Sequence, residues 1–305
     1  MHISKTDSTS QMLRALLILA GVFFVMLILT GALAMWVGGF FPPSSRAGYL
    51  CQSAVQALLA FAGTAAVVAK FVSRRPAGFL GLTQSVTWRP FVGVLIVYAL
   101  AMPFLNQLIY YNSLMTLPEA LAPLENYMRQ MEEMNGKVVA TVLAGDSIWV
   151  LLSGILVIGV LTGFGEEMLF RGALQRSLDI YPPMRQWAIW ISAVIFSAVH
   201  LQFFGFFPRL LLGAFFGYLL YSSGSLWPGV FAHALNNSIV VVATWLSERG
   251  VIEGDADSWG VVRDGFPIWG VVSLAALVIF FIFGYRYFFV ARQAAKCESI
   301  DSSSY

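Results

Sequence analysis

Long apolar runs constrain this chain more than any other feature. From Ile148 to Gly165 there is no charged side chain, and similar runs recur along the 305 residues, of which 58% are hydrophobic and only 11% charged. A soluble domain carries nearer a quarter charged residues. Roughly 20 mostly apolar residues make one membrane-spanning helix. The chain therefore reads as an all-α, polytopic membrane protein of about eight transmembrane helices, with its polar site inside the helix bundle.

The expected spans are about 13–38, 49–72, 89–111, a fourth starting near Ile148, then about 186–203, 208–222, 227–246 and 267–290. Pro103 predicts a kink in the third. The first run is too long for the apolar core of a signal peptide and has no clear small-residue cleavage site, so it is expected to be retained. No internal repeat is visible. Three parts follow: 1–147, the first helices and an extracytoplasmic amphipathic loop; 148–246, the core; and 247–305, an acidic loop, the last helix and a polar tail expected to be disordered. Met128, Met131 and Met134 beside Glu125, Arg129, Glu132 and Glu133 predict an amphipathic surface helix within 112–146. Trp88, Trp149, Trp187 and Trp227 near span ends read as interfacial anchors. Gly213 and Gly217, four apart, predict close helix approach.

Basic residues set the expected orientation. Lys5 and Arg14, then Lys70, Arg74, Arg75 and Arg89, then Arg171, Arg176 and Arg185, and last Arg286, Arg292 and Lys296 all fall on one side if there are eight spans. That predicts cytoplasmic termini in a multi-pass protein of a cell membrane, with a bacterial inner membrane the expected home. A net charge of +2 gives no reason to expect nucleic acid. Cys51 sits in an apolar run and Cys297 in the tail, which argues against a disulfide framework.

Two adjacent glutamates, Glu166 and Glu167, end the uncharged run. A carboxylate at membrane depth is costly unless paired or watered, and marks a functional site by default. Glu167 and Arg171 are four apart and can pair on one helix face. Glu166 is turned by about 100° and is free to point elsewhere. His200, His233, Asn236 and Asn237 are the other strong polar groups within the runs. His233 and Asn237 share a face, and Phe196 can pack over His200. Each pair alone fits a satisfied core; together, on consecutive segments, they predict convergence in the bundle interior.

The text Glu166-Glu167-Met-Leu-Phe-Arg171 fits EExxxR, Phe196 to His200 fits FxxxH, and His233 to Asn237 fits HxxxN. In this order the three motifs resemble the CPBP family of intramembrane proteases, also called the CAAX protease and bacteriocin-processing, or Abi, family. The resemblance covers roughly residues 148–246. Its eukaryotic relatives are the type 2 CAAX prenyl endopeptidases, which cut the last three residues from prenylated proteins. The resemblance implies that Glu166 is the catalytic glutamate and His200 its partner in activating water. It implies an oxyanion hole from His233 and Asn237, with Glu167, Arg171 and Phe196 in support. A base in a dry pocket and paired donors on one face agree with peptide hydrolysis.

Two histidines and the glutamates could hold zinc, and the family has been called metalloproteases for that reason. HExxH and a cysteine ligand set are absent, so no metal and no other cofactor is the expectation. The expected partners are the lipid bilayer and a peptide or membrane-protein substrate. A scaffold or self-immunity protein of the same fold is the alternative, and a proton-coupled transporter a further one, disfavoured by the missing inverted repeat. His200 and His233 sit at opposite depths if segment 5 crosses fully. Their meeting requires a shallow segment 5, strong tilt or broken helices, which Pro182-Pro183 and Phe206-Phe207-Pro208 permit. A large, water-accessible cavity reached by Glu166, His200, His233 and Asn237 is the corresponding structural expectation.

Overall fold

Among the described residues, seven helices are long and apolar enough to cross a membrane. The computed structural model describes residues 5–42, 44–252 and 256–290. The expected disordered tail, with Arg292, Lys296 and Cys297, lies outside the described residues, as does His2. All regular structure among the described residues is helical. The spans are α1 (Lys5–Gly38), α2 (Arg46–Val72), α3 (Arg89–Ser113), α5 (Ile148–Asp179), α7 (Phe206–Ser223), α8 (Trp227–Ser247) and α9 (Ile268–Phe288). Two more helices are shorter or more polar: α4 (Ala122–Leu143) and α6 (Arg185–Ala198).

The fifth expected span is present in shortened form: its helix stops early, and the turn that follows carries the chain to Asn112 at the C-terminal end of α3. Helix α6 has 14 residues, so at ~1.5 Å per residue it extends ~21 Å, short of a ~30 Å hydrocarbon core. It packs antiparallel against α7. The Tyr218 hydroxyl donates to Gln186 Oε1 at 3.1 Å near one end, and the Ser197 hydroxyl to the Phe206 carbonyl at 2.7 Å near the other. The chain turns back through Leu201, whose φ of 53° is left-handed backbone. A leucine there costs ~1 kcal/mol or more, because its Cβ crowds the following carbonyl.

Contacts define the two ends of the bundle. Leu226 N–H donates to the Gly81 carbonyl, Arg176 Nη2 to the Gly224 carbonyl, and Arg89 lies over the Tyr287 ring. Arg89 and Arg176 therefore share one end with the Gly81 and Gly224 turns. At the other end, Arg46 Nε donates to the Val142 carbonyl and Asn112 Nδ2 to the Phe203 carbonyl, and Arg249 approaches Asp146. The amphipathic segment forms helix α4 at this second end. Its last turns, Val138 to Leu143, pack against Tyr49, Leu151 and Val241.

Lipid offers no hydrophobic drive between helices, so small residues and internal hydrogen bonds hold the bundle. A Cβ on Gly165 would run into the Ala57 carbonyl oxygen, which fixes the approach of α5 to α2. Pro103 removes a donor from the α3 ladder. Ser273 of α9 repairs the gap by accepting from Phe104 N–H at 3.1 Å and donating to the Leu100 carbonyl. Trp88, Trp149, Trp187 and Trp227 are all exposed near helix ends, as interfacial anchors require.

Candidate active site

Helix α5 widens where it carries the glutamates. Its turns are π-type over Ile155–Leu161 and Met168–Gln175, with ordinary α-helix over Thr162–Glu167 between them. Wide turns of this kind are frequent at functional sites. Glu167 and Arg171 are both 0% exposed, and Glu167 Oε1 accepts from Arg171 Nη1 at 2.8 Å. The pair is the same-face clamp that the spacing predicts. Arg171 also donates through Nη2 to the Gly213 carbonyl at 2.9 Å, and its guanidinium lies 4.4 Å from the Phe196 ring centre.

His233 joins this cluster from α8. Its Nδ1 is 2.9 Å from Glu167 Oε1, and its Nε2 is 3.4 Å from Glu166 Oε2. A carboxylate can only accept, so Nδ1 carries a proton and Nε2 faces Glu166. The imidazole is stacked on Phe216 and meets the edge of Phe196. The Tyr98 hydroxyl donates to the neighbouring Ala232 carbonyl at 3.0 Å and ties α3 to this turn of α8. Glu166 is 7% exposed, and its contact with His233 is the ion-pair partner the structure gives it.

His200 reaches the cluster because α6 is short. Its Nδ1 donates to the Phe196 carbonyl at 2.7 Å, and its ring lies 5.1 Å from that of Phe196. Phe196 thus touches both imidazoles, and the depth conflict is met by a broken segment 5, whose helix ends at Ala198 before the chain turns at Leu201. With Nδ1 donating to a carbonyl, the Nε2 lone pair of the neutral ring is left for another donor.

Asn237 is placed differently. Its amide donates to the Ile158 carbonyl at 3.3 Å and its oxygen accepts from Asn236 at 3.3 Å. The structure brings Glu166, Glu167, Arg171, Phe196, His200 and His233 together, and leaves Asn237 one turn away on the same face of α8. The expected open cavity shared by all four catalytic candidates is therefore not what the side chains form, since Glu166 and His233 are buried and Asn237 is engaged with α5.

Residues 148–239 match the family described as type II CAAX prenyl endopeptidase Rce1-like. No curated protein and no solved structure matches the chain. The matched segment contains all three motifs, from Glu166 to Asn237, and every helix that builds the cluster from α5 to most of α8. Helices α1 to α4 and α9 lie outside it and wrap it.

The sequence reading passed over Arg209, at the start of α7. Its Nη2 donates to Gln202 Oε1 at 2.5 Å, and its Nη1 is buried without a hydrogen-bond partner. Its charge acts on Glu166, His200 and Glu132. The available signal was the spacing Arg209, Gly213, Gly217, which puts the arginine on the close-approach stripe. Among the described residues no group of three or more His, Cys, Asp or Glu side chains is arranged to hold a metal ion.

Proposed function

We propose that this protein is a membrane-embedded endopeptidase in which Glu166 activates water. The carrying observation is the buried Glu166 carboxylate facing His233 Nε2 at 3.4 Å, while Glu167 holds Nδ1 of the same ring. Glu166 takes a proton from the attacking water as its oxygen bonds to the peptide carbonyl carbon. The proton then passes to the leaving amine as the C–N bond breaks. Glu167, paired with Arg171, holds His233 through Nδ1–H and fixes the ring, so that Nε2, when it carries a proton, is the donor on the Glu166 side. His200, through its free Nε2, orients the water. The developing oxyanion is met by His233 and by Asn237, once its amide turns from the Ile158 carbonyl at 3.3 Å.

The match to a prenyl endopeptidase family supports lipidated peptides as the substrate class. The chemistry of the donor set supports water activated without a metal: the Glu167, Arg171 and His233 side chains are already committed to one another. The gathering of Arg89, Arg176 and Arg185 at one end of the bundle supports a cytoplasmic face there, in a cell membrane such as a bacterial inner membrane.

The test is cleavage of a fluorogenic lipidated peptide by purified protein in liposomes. Glu166→Gln is expected to lower kcat by ~10²–10⁴, the range of a positioned general base. Retained activity in that variant, or activity abolished by chelation and restored by zinc, overturns the mechanism. Absence of cleavage by the unmodified protein across such peptides favours a scaffold or immunity role for the same fold.

A further inference from the structure

Helix α5 is tied to the α7 region at three levels. Arg171 Nη2 donates to the Gly213 carbonyl, and one turn along Gln175 Nε2 donates to the Gly217 carbonyl at 3.1 Å. Arg176 Nη2 then donates at 2.8 Å to the Gly224 carbonyl, in the turn that follows α7. The first bond belongs to the glutamate cluster, and the second joins helix to helix. The third borders a cavity of about 560 Å³ at the basic end of the bundle. Arg176 and Asp179 of α5, Arg185 of α6, Tyr221 and Ser222 of α7 and Tyr285 of α9 line it.

Charge is not balanced there. Asp179 accepts from Arg185 Nε at 2.9 Å, which leaves the terminal nitrogens of that guanidinium for other acceptors. Arg176 has no ion-pair partner among the described residues. The carboxylate whose charge acts on it is Asp179, already engaged by Arg185. Its Nε is buried with no hydrogen-bond partner, and a Cβ on Gly81 would stand 3.0 Å from its Nη2. The Arg176 head group is thus seated between the Gly81 and Gly224 turns. Two guanidinium groups meet one carboxylate, and one positive charge is left over. Capping the end of α7 accounts for the Gly224 bond. It accounts neither for the second arginine nor for the open volume between them.

The hydroxyls narrow the choice of ligand. Ser222 gives its proton to the Tyr218 carbonyl at 2.7 Å and so accepts from Tyr285. That latch joins α7 to α9 and spends both protons. Recognition falls to the two arginines, with Tyr221, 45% exposed, beside them. Arginine forks match the oxygens of a phosphate or a carboxylate. Depth favours the first. Trp187 and Trp227, both exposed, mark this end as head-group level, and a basic pocket between spanning helices at that level suits a phosphate head group.

We infer that this cavity binds a phosphate ester anion, recognised by Arg176 and Arg185. An occupant joins α5, which carries Glu166, to α6, which leads to His200. The site is separate from the peptidase chemistry and does not depend on it.

The test is binding to the full chain in a neutral detergent. A tail-labelled fluorescent phosphatidylglycerol is compared with diacylglycerol of the same chains, which lacks the phosphate. The phospholipid is expected to bind about tenfold or more tightly, the size of one charge-assisted contact. Arg176→Gln and Arg185→Gln are each expected to remove most of that preference. Arg74 is exposed in the connection from α2 to α3 at the same end, and Arg74→Gln is expected to leave the preference unchanged. The Arg185 side chain is 52% exposed, so its variant carries the comparison if Arg176→Gln fails to fold. Competition by glycerol phosphate identifies the source of the anion. Displacement at millimolar concentration shows that a soluble phosphate ester suffices; no displacement shows that the anchored head group is the ligand. Equal affinity for the two lipids, a preference that survives both cavity variants, or one lost equally in Arg74→Gln overturns the inference.

Discussion

Arg171 and Arg209 flank the same glutamates and solve the problem of a buried guanidinium in opposite ways. Arg171 is 0% exposed, paired with Glu167, bonded to the Gly213 carbonyl and covered by Phe196. Arg209 has one arm on Gln202 and the other with no partner. The first arrangement is closed, and its removal strands a charge. The second is open, and its removal strands nothing. Arg171 also keeps one bare atom, Nε, so what separates the two is the counter-ion: Glu167 faces Arg171, whereas Arg209 is in no ion pair among the described residues.

The sharpest way to break that contrast is to delete each cation. Arg171→Met leaves the buried Glu167 carboxylate with His233 as its remaining partner, and is expected to cost ~3–5 kcal/mol. Arg209→Met is expected to cost much less. Thermal unfolding in detergent compares the two, and an equal loss would erase the distinction. Adding Glu167→Gln to Arg171→Met is expected to recover much of the loss, since no ion then remains without its counter-ion.

A milder probe disturbs the seat of the closed arginine. A Cβ on Gly213 would stand 3.1 Å from both Arg171 Nη2 and the Phe196 ring. Gly213→Ala is expected to destabilise by ~1–3 kcal/mol, as overpacking of a tight core does. Unfolding curves that match the parent protein would show that α7 can retreat.

The turn after His200 is expected to behave in the opposite sense. Leu201→Gly removes left-handed strain, partly offset by chain entropy, for a gain of up to about 1 kcal/mol. The same freedom loosens His200, so kcat is expected to fall while the melting temperature rises. A rise in both would separate the strain from the chemistry.

The smallest effect concerns the open side, where α4 meets the Arg209 loop. Arg129 lies 4.0 Å from the Phe204 ring centre and pairs with Glu125 at 2.7 Å. The Leu117 N–H, donating at 2.7 Å, and then Arg129 hold the Glu125 carboxyl below its ordinary value of 4.5. A lowered native pKa stabilises α4 above the ordinary value and withdraws that support as pH falls through the lowered one. Hydrogen exchange at the start of α4 is expected to speed up only below pH 4.5, after correction for intrinsic rates. Protection there that does not change through that range would remove Glu125 from the account.

Most of the fold was legible because apolar length is a physical requirement of the bilayer rather than a propensity. Seven spans begin and end close to where composition changes. The exception is instructive. Val199, Leu201 and Phe203 continue the hydrophobic character of α6, so the run reads as one long helix, but the backbone turns at Leu201 without a glycine to announce it. The Glu167–Arg171 pair was legible because a four-residue spacing fixes both a face and a distance. The His233–Asn237 spacing fixes only a face. Nothing in it says that the Ile158 carbonyl lies within reach of the amide. Arg209 was missed because it sits beside Pro208 at the edge of an apolar run, where basic residues ordinarily mark orientation.

The paired donations from Arg171 and Gln175 to two glycine carbonyls act as a ruler. Sliding α7 by one turn, about 5.4 Å, would break both bonds and set side chains where only hydrogens fit. The height of the reacting atoms within the bilayer is therefore not an adjustable quantity. On the proposed peptidase reading, a substrate must bring its scissile bond to that level, and the thickness of the surrounding lipid becomes part of the specificity.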